Sequence, residues 1–482
     1  MARMDTFFTQ VFSQLRGNIS SQAETVVWNA WVNKMESSEK DQQLYAQKLV
    51  DWYNRDTTAV RGYVREAARP LFSTASTAKW LVPVLNMVPR VVKRISLAYV
   101  QPPVRTLKQG SNTVDVGSPL WERVYGEQGL FKNIDINKKL KHADRWSTLL
   151  NTVHIEVVPR NGAIDWDFRL RPATTIIPDP GDYLRFAKLA YRFCPMDPDT
   201  LRLREGWVYW SKDVHAYRLD NGEWFGISTP DGRNPYGGEI PIVTVRKIEQ
   251  DDYWGAYGAD LVEGFEQLHV QLANMWFNAI MQSHGQPVGT NLKIPAGQSL
   301  VVGPDAPLLV EGVLKDDVPP SLVFAKPESE TKTVQELLEW FIENCTQGFG
   351  LPPGSWSIDT APESGFAKFM KNIELLEDRD DSRAMWVQVE KDLLRNSIMV
   401  NNRFEGAVGA LPENLDVDIE FPPVKFPESP AEIQTRYTIA FNNGTSSPVR
   451  YFMEQEGLNE EDAKAKAIAI ATYCVASGAY VI

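Results

Sequence analysis

The spacing of apolar positions changes along the chain and divides it into regions. Leu44, Leu49 and Trp52 recur at helical spacing, which predicts helices in the first hundred residues. Between residues 151 and 247 apolar and polar side chains alternate, and turn pairs such as Asn161-Gly162 separate the alternating segments. This second region is predicted to be rich in β-strands, so the pattern indicates an α+β fold.

The most distinctive feature of the pattern is a pair of amphipathic helices around a short insert. The helices are predicted over residues 259–284 and 329–347, and the glycine- and proline-rich residues 288–327 between them predict short strands and turns. The first apolar stripe is Leu261, Phe265, Leu268, Leu272, either Met275 or Trp276, and Ala279. The second is Val334, Leu337, Leu338, Phe341 and Cys345. Because the chain offers these stripes little partner surface, neighbouring copies are expected to cover them in a ring.

Further elements are predicted after the helix pair. A loop rich in glycine, proline and serine covers residues 350–365, and a very long helix is predicted over residues 366–404. A lone strand is predicted over residues 415–421, followed by two or three helices after residue 430.

The net charge of −12 is concentrated in one part of the chain. Residues 257–365 contain 14 carboxylates, four lysines and no arginine, a net charge of −10. Such a segment is either a solvated acidic surface or a surface that repels polyanions, and charge alone leaves both interpretations open. The overall acidity argues against a protein that grips nucleic acid tightly.

Recognisable catalytic chemistry is missing from the sequence. Phosphate-loop, HExxH, GxSxG and dinucleotide-binding motifs are absent, and the five histidines are dispersed, so no catalytic residue, metal or cofactor is expected. Two carboxylate pairs, Asp165/Asp167 and Asp416/Asp418, have the spacing of the solvent face of a strand. A hydrolase that uses Asp165 or Asp416 stays open as an alternative. No run of about 18 apolar residues is present, so no membrane span is expected.

Several local sequences resemble the portal proteins of tailed bacteriophages. They are NPYGGEIPIV at residues 234–243, GADL at 258–261, GLPPG at 350–354, ESGFA at 363–367, and the segment from GTSS to GLNEEDA over 444–463. The resemblance rests on the order and spacing of these segments over about half of the chain. The first 150 residues share only the general character of the family's N-terminal regions.

The resemblance implies a ring-forming portal fold with long helices around a central channel. The implied parts are a wing of N-terminal helices and a β-rich part (1–256), stem helix 1 (257–284), a clip (285–327), stem helix 2 (328–349), a tunnel loop (350–365), a long helix with a returning wing strand (366–428) and a crown (429–482).

The implied function is structural. A dodecameric ring would occupy one capsid vertex of the virion, and double-stranded DNA would pass through it during packaging and ejection. The implied partners are further copies of the chain, the major capsid protein, the terminase large subunit and head-tail adaptor proteins, with no enzymatic activity in the chain itself. A different phage structural or adaptor protein is the other alternative.

Three sets of residues are implied to carry this function. The DNA-facing tunnel loop would comprise Leu351, Pro352, Pro353, Gly354, Ser355, Trp356, Ser357, Glu363 and Ser364. The clip residues that face terminase and adaptors would be Lys293, Asp305, Glu311, Lys315, Asp316 and Asp317. Candidates for an acidic channel surface are Asp260, Glu263, Glu266, Glu336, Glu339 and Glu343. Whether Trp356 contacts DNA or packs against the long helix stays open.

Overall fold

The computed structural model describes residues 37–70, 84–160, 162–193, 206–219, 224–229, 231–284, 286–293, 311–312, 319–325, 331–352, 370–404, 408–423 and 430–477. They form α-helices and antiparallel sheets, in agreement with the predicted α+β class. The described parts of Met1–Pro353 and Glu377–Pro422 make up one compact unit, and those of Gly354–Leu376 and Pro423–Ile482 make up a second. Among the described helices, none has the length and apolar character needed to cross a membrane.

Eight described α-helices precede residue 404. They are α1 (Ser37–Asn54), α2 (Thr57–Ala68), α3 (Val88–Ile95), α4 (Pro119–Tyr125), α5 (Ile136–Leu150), α6 (Ala259–His284), α7 (Thr331–Gln347) and α8 (Ile373–Arg403). Helices α1, α2 and α3 each pack against α6. The Asp56 carboxylate caps α2 by accepting hydrogen bonds from the amides of Thr58 and Ala59, both at 3.0 Å. Pro89 lies in the first turn of α3, where a missing amide is tolerated.

The strands form separate antiparallel sheets. They are β1 (Val104–Gln109), β2 (Asn112–Thr113), β3 (Thr152–Arg160), β4 (Ala163–Arg169), β5 (Thr174–Asp179), β6 (Asp182–Phe193), β7 (Gly206–Trp210), β8 (His215–Leu219), β9 (Trp224–Gly226), β10 (Ile242–Arg246), β11 (Gln286–Thr290), β12 (Leu292–Lys293), β13 (Glu311–Gly312), β14 (Ser321–Ala325) and β15 (Leu415–Glu420). The sheet orders are β15-β1-β2, β10-β3-β4 and β5-β6-β7-β8-β9, while β11 pairs with β14 and β12 with β13.

Strand β15 pairs with β1, although most of the sequence lies between the two strands. The register places Lys108 opposite Asp416 and Leu107 opposite Val417. Leu415, Val417 and Ile419 are buried, as the period-two pattern of the predicted strand required. The carboxylate of Asp416 lies 3.3 Å from the Lys391 ammonium, so this acidic position is an ion-pair partner at the edge of the sheet.

Buried carboxylates connect elements that are distant in sequence. The Glu156 side chain is buried on β3 and accepts hydrogen bonds from Arg169 (2.6 Å), Trp210 (2.8 Å) and Tyr191 (3.2 Å). It thereby joins the sheet containing β3 to the sheet containing β6 and β7. A buried carboxylate is tolerated when ion pairing and hydrogen bonds replace its lost hydration, as they do here.

The second unit consists of short helices around a small aromatic cluster. The C-terminal helices expected after residue 430 are α9 (Pro430–Asn442), α10 (Pro448–Glu456) and α11 (Glu460–Ser477). The ring of Tyr437 meets the ring of Tyr451 edge-on at 4.7 Å. The Tyr437 hydroxyl donates to Glu454 at 2.6 Å.

Two buried histidines make the stability of the protein dependent on pH. Burial lowers the pKa of both His154 and His215 from 6.5 to about 3. Below pH 6.5 the unfolded chain therefore binds protons that the folded chain does not bind, and the free energy of unfolding falls as the pH falls. Each histidine is expected to lower it by about 2 kcal/mol between pH 7 and pH 5.

The prediction is that the melting temperature drops markedly between pH 7 and pH 5, and that His154→Gln makes the drop smaller. Differential scanning calorimetry of both proteins at the two pH values measures the difference. An identical drop in His154→Gln and the unaltered protein would show that His154 already takes up a proton in the folded state.

Candidate functional site

Helices α6 and α7 form an antiparallel hairpin that is closely packed at its base. A Cβ atom built on Gly264 of α6 would lie 2.7 Å from the Sγ atom of Cys345 on α7. At the same end of the hairpin, the rings of Tyr257 and Phe349 meet edge-on at 6.0 Å. Because the start of α6 meets the end of α7, the two helices run in opposite directions. Glycine at position 264 allows their backbones to approach.

The predicted helix pair and its β-rich insert are both present. Helix α6 has the predicted bounds, and α7 begins at Thr331, two residues later than predicted. Within the insert, β11 pairs with β14 from Gln286↔Ala325 to Thr290↔Ser321.

Polar contacts from α1 hold the first half of α6. The Tyr45 hydroxyl donates to Glu263 at 2.6 Å, and the Lys48 ammonium donates to Glu266 at 2.7 Å. Glu266 is only 6% exposed, and burial raises its pKa although the neighbouring Lys48 opposes the rise. On the next turn, the His269 ring packs edge-on against Trp52 at 5.1 Å. The base of the hairpin is thus anchored in its own chain.

The hairpin also exposes large apolar side chains. Ala273 is 1% exposed, but Trp276, less than one turn further, is 49% exposed. On α7, Leu337 and Trp340 are 57% and 59% exposed. Contacts with a partner would cover large exposed apolar side chains, so Trp276, Leu337 and Trp340 are candidate interface residues.

Helix α7 carries an acidic stripe on its exposed surface. Glu336, Glu339 and Glu343 are all exposed, and their spacing of three and four residues places them on one side of the helix. The Lys332 ammonium lies 3.7 Å from Glu336 and is itself largely exposed, so it contributes little screening of the stripe.

The chain leaves α7 through a glycine turn with a defined hydrogen-bond pattern. Gly350 has a φ of 71°, its amide donates to Gln347 at 2.9 Å, and the amide of Leu351 donates to Thr346 at 3.3 Å. These two bonds form a Schellman motif, which requires a left-handed residue at position 350. The Leu351 side chain is buried as the motif ends.

The tunnel-loop and clip residues are placed only in part. Leu351 is buried and Pro352 is half-buried, so Leu351 offers no surface for DNA to contact. The other tunnel-loop candidates, Pro353, Gly354, Ser355, Trp356, Ser357, Glu363 and Ser364, lie outside the described residues. In the clip, Lys293 is exposed and Glu311 lies on β13, while Asp305, Lys315, Asp316 and Asp317 lie outside the described residues.

The acidic candidates fall into groups with different environments. Glu336, Glu339 and Glu343 are exposed together on α7, whereas Glu263 and Glu266 are engaged by α1. The remaining candidate, Asp260, is exposed near Cys345, and its charge adds to the effect of burial in raising the pKa of that thiol.

The described residues give little support for a metal site or for catalysis by Asp165 and Asp416. No group of three or more metal-ligating side chains occurs among the described residues. Asp165 on β4 accepts from Lys139 at 3.1 Å and also pairs with Arg160. Asp165 lies in the sheet β10-β3-β4, whereas Asp416 lies in the sheet β15-β1-β2.

Solved structures that resemble this chain at low sequence identity include two chains of gene transfer agent particles. A chain in the virion of a native gene transfer agent (GTA) particle is 16% identical, with a TM-score of 0.34, over 78% of this chain and 90% of that chain. A chain in the neck of an empty GTA particle is 14% identical, with a TM-score of 0.37, over 76% of this chain and 89% of that chain. No family model and no curated protein sequence matches this chain.

The contact at Gly264 generates a prediction about the hairpin base. Gly264→Ala would place a methyl group against the Sγ atom of Cys345, while the next atoms, on Phe341 and at the Cys345 Cβ, are 3.8 and 3.9 Å away. We expect the substitution to lower the free energy of unfolding by about 1–3 kcal/mol because of overpacking.

The matched variant is Gly264→Ala combined with Cys345→Ala, which removes the clashing sulfur atom. It is expected to recover most of the loss, since alanine also favours the helix by about 1 kcal/mol. Urea unfolding of both single variants and the double variant gives the coupling between the two sites. Simple additivity of the two effects would contradict the close contact.

Proposed function

We propose that this chain is the portal subunit of a tailed bacteriophage. Copies would form a ring of about twelve at one capsid vertex, through which double-stranded DNA is packaged and ejected. The observation that carries the proposal is the hairpin of α6 and α7, which is anchored at its base, bears a β insert at its tip and exposes Trp276 and Trp340. This arrangement supports the order of parts that the sequence resemblance implies.

The exposed apolar residues support a ring of copies. Side chains of this size gain about 1.5–3 kcal/mol each when they are removed from water, so a protein that exposes several on one element gains by association. The hairpin contributes two tryptophans and Leu337 to this surface. Neighbouring copies in a closed ring would cover such a surface in every subunit.

The acidic stripe of α7 supports a channel through which DNA slides. A wall of lysine and arginine would bind phosphates by releasing counterions, and the resulting affinity would oppose movement. Glu336, Glu339 and Glu343 would instead repel the phosphates and keep the duplex away from the wall. Glu266 and Leu351 are left out of this channel surface because both side chains are buried within the chain.

The remaining assignments follow from the same proposal. The clip with β11 to β14 would face the terminase large subunit during packaging and head-tail adaptors afterwards, and the major capsid protein would surround the ring. The chain would need no cofactor and perform no catalysis. An adaptor ring is the alternative, and it would lack a channel wide enough for duplex DNA.

Negative-stain electron microscopy and native mass spectrometry of the purified chain test the proposal directly. We expect rings of about twelve copies with an open central channel. A monodisperse monomer at high protein concentration would contradict the proposal. A ring without a channel wide enough for a duplex would favour the adaptor instead.

Reversing the charge of the acidic stripe tests its role in DNA passage. The triple variant Glu336→Lys, Glu339→Lys and Glu343→Lys is expected to retain linear duplex DNA at least about 100-fold more tightly, with a steep dependence on salt. Covalently closed circular DNA cannot thread a ring and should not be retained. Filter binding with both DNA forms measures the difference.

The matched control reverses three exposed carboxylates away from the hairpin, through Asp115→Lys, Glu127→Lys and Glu413→Lys. It has the same net charge as the stripe variant, so any added DNA binding should be equal for linear and circular DNA. Equal binding of both DNA forms by the stripe variant would show that the stripe lies outside the channel.

A further inference from the structure

Strand β10 lies at the edge of its sheet. Among the described strands it pairs with β3 alone, and β3 separates it from β4. The amide of Val157 on β3 donates to the carbonyl of Pro241, just before β10, at 2.9 Å. Because backbone groups alternate in direction along a strand, residues 241, 243 and 245 face β3. The amide and carbonyl of Thr244 therefore point outward, away from the sheet.

An opening of about 290 Å³ lies beside this edge. It is lined by Ile242, Val243 and Thr244 of β10, by the two residues Glu239 and Ile240 that precede the strand, and by Asp392, Arg395 and Asn396 of α8. No described residue forms a hydrogen bond with the outward amide or carbonyl of Thr244. A strand edge with free backbone groups is a template for pairing with another segment of polypeptide.

The Asn396 side chain is a second unpaired group at this opening. Asn396 is only 4% exposed, yet its side-chain amide forms no hydrogen bond with any described residue. The next residue, Ser397, accepts a hydrogen bond from the Trp166 indole at 3.2 Å. Buried polar side chains nearly always have a partner, because an unpaired one loses its hydrogen bonds to water without replacement. Since Asn396 lines the opening, a ligand bound there would supply the missing partner.

These unpaired groups match the backbone of an extended peptide. Thr244 offers one donor and one acceptor from its main chain, and the Asn396 amide offers both kinds of group from its side chain. An extended segment beside β10 would lie about 4.8 Å from it and pair with Thr244. Since β10 has five residues, the paired part of the segment would be about as long.

The charges around the opening favour a basic ligand. Glu239 is exposed, and its carboxylate pairs with no described side chain. Asp392 has one ion pair, with Arg395 at 3.6 Å, and the Arg395 side chain is 65% exposed. Water screens an exposed pair of this kind, so both carboxylates remain available to a lysine or arginine of the ligand.

Helix α8 restricts the form of the ligand. It lines the opening next to β10, so an incoming strand must fit between the strand and the helix. A lone extended segment meets this requirement. The edge strand of a folded sheet would bring its own covering layer against α8.

We propose that the opening between β10 and α8 binds an extended, basic segment of a separate protein. The segment adds a strand to the sheet at Thr244 and forms a hydrogen bond with Asn396. The site uses no residue of the α6–α7 hairpin, and it does not depend on the proposed ring.

Fluorescence anisotropy with the full-length chain tests the proposal. The first probe is a fluorescent seven-residue peptide of alternating valine and lysine. The second has the same sequence with its internal backbone amides methylated, and the third has glutamate in place of lysine. We expect the first peptide to bind and the other two to bind at least about 10-fold more weakly. Failure of the first peptide to bind, or equal binding of either of the others, would overturn the proposal.

Two variants test the residues. Asn396→Leu removes the unpaired amide and is expected to weaken binding of the first peptide about 10-fold while the melting temperature stays the same or rises. Thr244→Pro removes the outward amide, which makes no bond within the sheet, and is expected to weaken binding similarly. The matched control is Asn112→Leu on the exposed strand β2 of a different sheet, which should bind the peptide normally. Unchanged affinity in both variants would contradict the site.

Hydrogen exchange of residues 242–246 identifies the source of the bound segment. The amide of Thr244 is expected to exchange rapidly in the purified chain and slowly after the first peptide is added. Slow exchange in the purified chain alone would assign the opening to a segment of this chain or of a second copy. That result would overturn the proposal of a separate protein.

Discussion

The packing of α6 is the constraint on which the rest of the hairpin depends. Its first half is held by α1, α2 and α3 on one side and by α7 on the other, with Gly264 setting the closest approach. This anchorage fixes the rotation of α6, and the contact at Cys345 then fixes the rotation of α7. The positions of Trp276, Trp340 and the acidic stripe all result from these two contacts.

Much of the hairpin could be predicted from sequence because its helices are long and strongly periodic. The bounds of α6 and the strands of the insert needed only local patterns. The pairing of β1 with β15 could not be predicted, since nothing in either strand identifies a partner some three hundred residues away. The pattern is also wrong at Leu261, Phe265 and Leu268, which it assigns to contacts between copies although all three are buried within the chain, because the helices that pack against α6 are distant in sequence.

The charge pattern shows a similar limit. Counting carboxylates identifies an acidic segment but treats Glu266 and Glu339 alike. In the structure, Lys48 neutralises the first in a buried pair, whereas the second is exposed to solvent. Lys48 lies more than two hundred residues earlier, so no inspection of the acidic segment itself could have revealed the pairing. Net charge therefore overstates the repulsive surface that the hairpin presents.

The pairing of β1 with β15 has a mechanical consequence. Residues 110–414, which include the hairpin and its insert, lie between these strands in the sequence. The chain therefore enters and leaves that region through two strands that are hydrogen-bonded to each other. Tension between the two ends of that region loads the ladder first at its Gln109–Leu415 end. The segments before β1 and after β15 receive this tension only after the ladder has opened.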